Sequence, residues 1–224
     1  MKTFFTLNVG LFGGGQLSRA IAQGLLDAGL PQANLVICHQ GSNETRKKLE
    51  ELGLLGLVVD RNDLIRSSQV ILYLVRPQNR HAIEDCTLRD DSVFVSFLAG
   101  VPLNGLPIAL HDAQRVRVMT SAPDTLRARN GIAARYPIGV PVVDEILSAL
   151  QLQMIPLNRE SDFHAFTVFG PCLPIAMTNW EGLGHDINES DLLIAVSKLG
   201  LDEWEKVVAW AKSVRPRGLS ASDR

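Results

Sequence analysis

A run of three glycines near the start of the chain has the residue types that point most directly to chemistry. In residues 9–24, VGLFGGGQLSRAIAQG, the pattern Gly13-x-Gly15-x-x-Ser18 follows a short apolar run and opens a helical one. The first glycine permits a tight turn, the second lets the backbone approach a pyrophosphate, and a small third residue allows close helix packing. Amides of the first helical turn would then face two phosphates. The pattern predicts a dinucleotide-binding loop.

The residues after the second predicted strand indicate which dinucleotide is bound. An NAD site typically carries Asp or Glu there for the ribose 2′-hydroxyl, and such a carboxylate would repel the 2′-phosphate of NADP. Residues 35–48, LVICHQGSNETRKK, have no acid at the strand end. We therefore predict NADP(H) rather than NAD(H), with hydrogen bonds to the phosphate from His39, Ser42 and Asn43 and a positive charge from Arg46 or Lys47. A solvated helix face explains the two basic residues equally well.

Other kinds of chemistry lack their motifs. None of the five histidines lies in an H-E-x-x-H motif, no G-x-S-x-G elbow occurs, and the three cysteines show no C-x-x-C spacing. Neither a metal site nor a nucleophilic triad is predicted, and Cys38, Cys86 and Cys172 are interpreted as buried small hydrophobes. Arg117 and Arg127 are candidates to bind a substrate carboxylate, although an ordinary surface charge explains each of them as well.

Short apolar runs alternate with helical patterns, and the strands and helices that they predict must position the glycine loop. This alternation is typical of βαβ units, so the predicted fold class is α/β, a Rossmann-type doubly wound parallel sheet followed by a small all-helical C-terminal region. The predicted strands are LNVGLF, NLVICH, LVV, QVILYLV, SVFVSFLAG, RVRVMTS, GIAARYP and QMIPL, and the helices between them are QLSRAIAQGLLDAG, ETRKKLEELG, DLIRSS and residues 140–152.

The character of the chain changes near residue 159, which divides it into a predicted Rossmann domain at 1–158 and a helical region at 159–224. Helical patterns there are FHAFTVFGPCLPIAMTNWEGLG, ESDLLIAVSKLG and LDEWEKVVAWAKSV. The last is amphipathic, which fits packing on its own domain or a homodimer through the C-terminal helices.

Charge and hydropathy narrow the class of protein. Lys and Arg number 22 against 24 Asp and Glu, so no global basic field favours nucleic acid or an anionic membrane. No apolar run approaches the length of a membrane span, and the N-terminal apolar run leads into the first strand rather than forming a signal peptide. A soluble cytoplasmic protein acting on a small molecule is expected.

Five stretches together resemble the pyrroline-5-carboxylate reductase family of NADP-dependent oxidoreductases. They are VGLFGGGQLSRAIAQGLLDAGL, Asp60-Arg61-Asn62, VILYLVRPQN, VFVSFLAGVPL, and RVRVMTSAP followed by Gly131, and they span about the first 135 residues. The resemblance implies that Gly13, Gly14, Gly15, Gln16 and Leu17 hold the diphosphate and that Asn62 touches the adenosine end. It also implies that Val75, Arg76 and Pro77 flank the nicotinamide side, and that Ala99 and Gly100 face the nicotinamide.

The resemblance is weaker where that family binds its substrate. The Met-Pro-Asn-Thr-Pro loop of the family stands here as residues 119–123, MTSAP, and no Thr-Ser-Pro-Gly-Gly-Thr-Thr segment occurs after Gly184. Thr120, Ser121 and Thr167 are the predicted catalytic hydroxyls for reduction of a small imine or carbonyl compound. Two alternatives remain, namely a non-catalytic nucleotide-binding scaffold or sensor, and a relative that binds a deazaflavin cofactor.

Overall fold

Seven strands form one sheet at the centre of the molecule. The computed structural model describes residues 4–107, 113–167 and 204–213. The strand order is β2-β1-β3-β4-β5-β6-β7, and the bounds are β1 Val9–Phe12, β2 Leu35–Cys38, β3 Val70–Tyr73, β4 Val93–Ser96, β5 Gln114–Thr120, β6 Ile132–Tyr136 and β7 Gln153–Pro156.

The direction of the strands produces a crevice at one edge of the sheet. Strands β1 to β5 are parallel, β6 runs antiparallel to β5, and β7 is parallel to β6. Because β2 and β3 lie on opposite sides of β1, the chain changes direction across the sheet at the carboxyl end of β1, where α/β proteins bind ligands. The Rossmann-type α/β fold predicted from the sequence is confirmed.

Helices cover both faces of this sheet. Their bounds are α1 Gln16–Asp27, α2 Asn43–Glu51, α3 Arg61–Ser67, α4 Pro123–Arg127, α5 Pro141–Ala149, α6 Phe163–Thr167 and α7 Trp204–Ser213. Buried residues of α1 and α5 share a core with Val9, Leu11 and Val116. On the other face α3 packs into a second core with Tyr73 and Phe94. Both faces of the strands are therefore apolar, as their sequences indicate.

The predicted strand LVV is wrong. Residues Leu55–Leu57 form a 3₁₀ turn, and Val58 makes a single bridge to Ile37 instead of a ladder. Asp60 already caps helix α3 by accepting a hydrogen bond from the Asp63 amide at 2.8 Å. With the turn on one side and the helix cap on the other, too few residues remain to continue a strand.

The described C-terminal helices pack on the far end of the sheet. Phe163 and Phe166 of α6 and Val207 of α7 are buried against residues of β6 and β7, such as Ile132 and Ile155. The Trp210 indole N–H donates to the Asn130 carbonyl at 2.9 Å. The apolar face of α7 thus packs on β6 and β7 of the same chain, which was one of the two predicted uses for this face.

Several predictions about this region stay predictions. The stretch ESDLLIAVSKLG and most of FHAFTVFGPCLPIAMTNWEGLG lie outside the described residues, as does Cys172, whereas Cys38 and Cys86 are buried as predicted. The boundary at residue 158 and the homodimer are untested. Within residues 4–107, 113–167 and 204–213, no helix combines the length and the apolar character that crossing a bilayer requires.

Candidate cofactor-binding site

Gly13 fixes the glycine loop between the ends of three strands. Its φ of +130° lies in a region that L side chains rarely adopt, and an added Cβ would lie 2.7 Å from the Leu74 carbonyl oxygen. Its N–H donates to the Cys38 carbonyl at 2.8 Å. The loop is therefore held between the carboxyl ends of β2 and β3 by its backbone alone.

The next two glycines have opposite surroundings. Gly14 is buried, and a Cβ there would lie 2.9 Å from the His39 Cβ and 3.0 Å from the Thr45 Cγ2. Gly15 is exposed, and a Cβ there would meet nothing within 4 Å. The Arg19 guanidinium donates to the Gly14 carbonyl at 2.9 Å, which ties the loop to its own helix. The loop is therefore packed against α2 and β2 at Gly14 and open to solvent at Gly15. A ligand can approach the backbone closely at Gly15.

The amino end of α1 differs from those of α2 and α3 in its capping. Ser42 accepts from the Thr45 amide at the start of α2, and Asp60 does the same for α3. At the start of α1, no side chain among the described residues makes the corresponding cap, because the N-cap is Gly15. The first-turn amides of α1 therefore keep free donors and the positive end of the helix dipole, which together favour phosphate.

Two cavities meet at Gly15 and form one groove. The first, here the His39 cavity, has a volume of about 610 Å³ and lies between the glycine loop, residues 38–42 and residues 79–82. The second, the Ala99 cavity, has about 620 Å³ and extends past the start of α1 to Phe97 and Ala99. Gly15, Ser42, Thr45 and residues 74–76 line both. The groove follows the carboxyl edge of the sheet on both sides of the loop, as an extended dinucleotide would.

Most of the predicted cofactor residues line this groove. They are Gly13, Gly14, Gly15, Gln16, Leu17, His39, Ser42, Val75, Arg76, Pro77 and Ala99. The other four, Asn43, Arg46, Asn62 and Gly100, do not line either cavity. Asn62 lies exposed in the first turn of α3, and Gly100 lies exposed beside Ala99 with a φ of +72°. Their contact with a cofactor stays a prediction.

His39 presents a neutral ring with a defined tautomer. Its Nδ1 accepts a hydrogen bond from the Gly41 amide at 3.2 Å, so the proton of the neutral ring is on Nε2. Burial, followed by the positive charge of Arg46, lowers the pKa of His39 below 6.5. Near neutral pH Nε2 therefore carries the proton that the ring can donate, and His39 lines the His39 cavity.

Arg76 is a cation of the groove without a partner among the residues that the structure describes. Among the described residues its guanidinium makes no hydrogen bond or ion pair, and it lines both cavities. Arg19 is engaged with the Gly14 carbonyl, and Lys48 pairs with Glu51 at 2.8 Å. Arg76 is thus available to an anionic ligand at the point where the two cavities join.

Sequence reasoning missed the wall opposite His39. Asn79, His81 and Ala82 line the His39 cavity, and Tyr73 anchors them by donating its hydroxyl hydrogen toward the carbonyls of Asn79 at 3.2 Å and Arg80 at 3.0 Å. Burial raises the pKa of Tyr73, so the hydroxyl stays a donor. A tyrosine in an otherwise aliphatic strand was the available signal, since a buried hydroxyl needs an acceptor.

Two of the three predicted catalytic hydroxyls make hydrogen bonds to groups of the chain itself. Ser121 is buried, with its Oγ 2.6 Å from the Thr125 Oγ1 and accepting from the Ile132 amide at 3.1 Å. Thr167 donates to the Phe163 carbonyl at 2.7 Å, and its Oγ1 lies 3.0 Å from the Met119 sulfur.

Thr120 lies on the other face of the sheet from Thr167. Successive residues of a strand point to opposite faces, so Thr120 and Met119, the contact of Thr167, face opposite ways. The catalytic roles of these hydroxyls stay predictions that their contacts do not support.

Arg117 differs from the surface charge that was one of its predicted interpretations. It is only 5% exposed and forms an ion pair with Glu160 at 3.3 Å. Burial lowers the pKa of Arg117, and the hydrogen bond and charge of Glu160 oppose that shift. The covering helix α6, which sequence reasoning did not place over β5, accounts for the difference.

Comparison with known proteins agrees with this geometry. Residues 8–100 match the family model described as NADP oxidoreductase coenzyme F420-dependent. The chain is 29% identical over 122 residues to the pyrroline-5-carboxylate reductase of Pisum sativum, a match that covers 51% of this chain and 43% of that enzyme. The match thus spans less than half of that relative's length.

Solved structures show the same fold. A 1-pyrroline-5-carboxylate reductase from Streptococcus pyogenes superposes with a TM-score of 0.63 and 17% identity, covering 97% of this chain and 83% of that one. The pyrroline carboxylate reductase of Plasmodium falciparum, solved with NADP bound, superposes with a TM-score of 0.59 and 17% identity, covering 93% of this chain and 76% of that one. The resemblance predicted from the sequence is confirmed, and over its N-terminal half the chain is similar to NAD(P)-dependent oxidoreductases.

Proposed function

We propose that this chain, whose N-terminal half is similar to pyrroline-5-carboxylate reductases, is an NADP(H)-dependent oxidoreductase that acts on a small imine or carbonyl compound. The observation that carries the proposal is the open amino end of α1 at Gly15, which no described side chain caps and where the two cavities meet. A diphosphate placed there would extend its two nucleosides into the two cavities.

The residues of the His39 cavity support NADP(H) over NAD(H). His39 and Ser42 offer a ring N–H and a hydroxyl, and neither is accompanied by a carboxylate at the end of β2. Arg46 acts electrostatically on His39 from α2 and adds positive charge near it. A 2′-phosphate would gain from this arrangement, whereas a free 2′-hydroxyl would find no Asp or Glu among the described residues that line the His39 cavity.

The residues of the Ala99 cavity favour binding of the nicotinamide at this end of the groove. When bound, the cofactor supplies the hydride, and the chain must hold the ring and exclude water. Ala99 and Phe97 provide a small and an apolar wall, while Pro77 stiffens the loop on the opposite side. The substrate would bind beyond this wall, on the side of the loop that follows β4.

A pair of glycine variants tests the cofactor part of the proposal. Gly15→Ala places a methyl group in open space, so the fold stays intact while the cradle for the phosphates is filled. Gly56→Ala is the matched control, because a Cβ there also meets nothing within 4 Å and lies away from the groove. We expect NADPH binding by calorimetry to be lost in the first variant and kept in the second. Equal binding by both variants would refute the cradle.

A substrate panel tests the reaction. We expect oxidation of NADPH, followed at its absorbance band, with pyrroline-5-carboxylate or another small cyclic imine, and no oxidation by Gly15→Ala. Tight NADPH binding without turnover of any imine or carbonyl in the panel would favour the scaffold or sensor instead. The comparisons with oxidoreductases do not favour that alternative.

A deazaflavin is a second candidate for the hydride partner. The description of the matching family model names coenzyme F420 beside NADP, so the compound reduced by NADPH could be a deazaflavin rather than an imine. Bleaching of an oxidised 5-deazaflavin by NADPH and the chain, without turnover of imines, would select this candidate. The cytoplasmic location and the homodimer remain parts of the proposal to be tested separately.

A further inference from the structure

Two charged side chains hold the loop that follows β4 at Leu103. Leu103 donates its amide N–H to the Glu160 Oε1 at 2.6 Å and accepts at its carbonyl from the Arg115 guanidinium at 3.2 Å. This loop contains Ala99, which lines the groove, and Gly100, whose φ of +72° marks a turn. Charge-assisted hydrogen bonds to the N–H and the C=O of one residue fix the loop at Leu103.

Glu160 also joins the loop to the interior of the sheet. The same Oε1 lies 3.3 Å from the Arg117 Nη1, and the Arg117 guanidinium lies over the Phe163 ring with 4.4 Å from its central carbon to the ring centroid. The Arg117 side chain is 6% exposed, and its Nε is buried without a hydrogen-bond partner among the described residues. Glu160 therefore connects the loop after β4, strand β5 and the start of α6.

An arrangement of this kind fits positioning better than stability. A buried ion pair contributes little to stability compared with an apolar pair of the same volume, because both charges lose water. Leaving the Arg117 Nε without a partner adds to that cost. What the pair does provide is one fixed geometry, since the carboxylate oxygen must reach both the Leu103 amide and Arg117.

We propose that Glu160 and Arg117 are positioning residues that fix the loop after β4, and with it Ala99, at the nicotinamide end of the groove. The inference rests on the proposed function, because it assumes that the groove holds NADP(H). It assigns these two residues to one half of the cofactor only. Glu160 and Arg117 line neither cavity, so they act on the Ala99 cavity only through the loop that carries Ala99. The proposed function assigns the adenosine half to the His39 cavity, which no residue of this loop lines.

Two ligands separate the halves of the groove. NADPH occupies both cavities, whereas adenosine 2′,5′-bisphosphate needs only the adenosine half. The variants are Glu160→Ala, which removes the connection, and Glu160→Gln, whose amide oxygen still accepts from the Leu103 N–H. The control is Asp162→Asn in the same 3₁₀ turn, because Asp162 pairs with Arg159 at 3.0 Å and has no hydrogen bond to Leu103. Calorimetry gives both affinities, and circular dichroism checks that each variant is folded.

The expected pattern is selective. Glu160→Ala should weaken NADPH binding about tenfold, the effect of losing one charge-assisted hydrogen bond, and leave binding of the bisphosphate unchanged. Glu160→Gln should lose less, and Arg117→Met added to Glu160→Ala should cause no further loss, since the two residues act through one connection.

Three results would overturn the inference. Equally weakened binding of both ligands would show general destabilisation, and unchanged NADPH binding in folded Glu160→Ala would show that the loop needs no such support. A loss in Asp162→Asn as large as in Glu160→Ala would remove the assignment to Glu160. If the unaltered chain bound neither ligand, the proposed function itself would fail.

Discussion

Gly14 and Gly15 are adjacent, yet a methyl group added to each would meet different surroundings. At Gly14 it would press on His39 and Thr45, and at Gly15 it would meet only the groove. We expect Gly14→Ala to lower the free energy of unfolding by about 1–3 kcal/mol, as overpacking does, and to weaken NADPH binding as well. Urea denaturation and calorimetry measure the two effects. A Gly14→Ala variant as stable as Gly56→Ala would contradict the packing found here.

The histidine beside Gly14 makes stability depend on pH with a definite sign. The native pKa of His39 lies below 6.5, so between the two values the unfolded chain binds a proton that the native chain does not. Its contribution to stability is present above the unfolded pKa and is lost as the pH falls through that interval. Urea denaturation from about pH 7.5 to about pH 5.5 should show a steeper loss for the unaltered chain than for His39→Asn. Parallel curves would exclude His39 as the cause.

For single residues, the sequence predicts those whose type the chemistry of the ligand requires. It does not predict those that reach the groove only because the fold places their element there. The glycines, His39 and Ser42 follow directly from the chemistry of a diphosphate and a 2′-phosphate. Thr45 and Asn79 line the groove only because α2 and the turn after β3 are placed against the loop. Arg117 alternates with valines in β5, and only the position of α6 decides that it is buried.

Helix α7 gains its stability from one apolar face. Val207 is fully buried, so Val207→Ala should lower the free energy of unfolding by about 2 kcal/mol through lost burial and a residual cavity. Ala209→Ser on the exposed side of the same helix is the control and should change little. Thermal unfolding followed by circular dichroism compares them. A similar small effect of both changes would mean that α7 does not pack on β6 and β7.

Strands with continuous apolar runs could be predicted from the sequence. Elements whose conformation or direction depends on neighbouring turns and helices could not. The strands around Val9, Val70 and Val93 are buried at every position, and nearly all of their residues are apolar, because helices cover both faces of the sheet. The run LVV has the same composition, but a 3₁₀ turn and the Asp60 cap leave it a single bridge. The antiparallel direction of β6 depends on the short α4 connection, which no periodicity reveals.

For the whole molecule, attraction of an anionic cofactor must be local. The formal net charge is −2, so the long-range field does not favour a dinucleotide phosphate. Arg76, which makes no hydrogen bond or ion pair within the described part of the chain, adds its charge in the groove to the dipole of α1. We expect the Kd of NADPH to rise severalfold between low and about 0.5 M salt, because screening shortens the reach of such charges. Arg76→Gln should weaken binding and flatten this salt dependence. An unchanged salt dependence in the variant would show that Arg76 does not contact the cofactor.

Because α7 is synthesised late, its packing on the sheet also has a consequence for the newly made chain. The face of β6 and β7 that carries Ile132 and Ile155 leaves the ribosome well before Val207 and Trp210, which cover it. At about 5–20 residues per second, that apolar surface waits seconds for its cover. During this interval the cofactor groove already has all of its residues, while Val207 and Trp210 do not yet cover Ile132 and Ile155, so this apolar surface is open to aggregation and to chaperone capture.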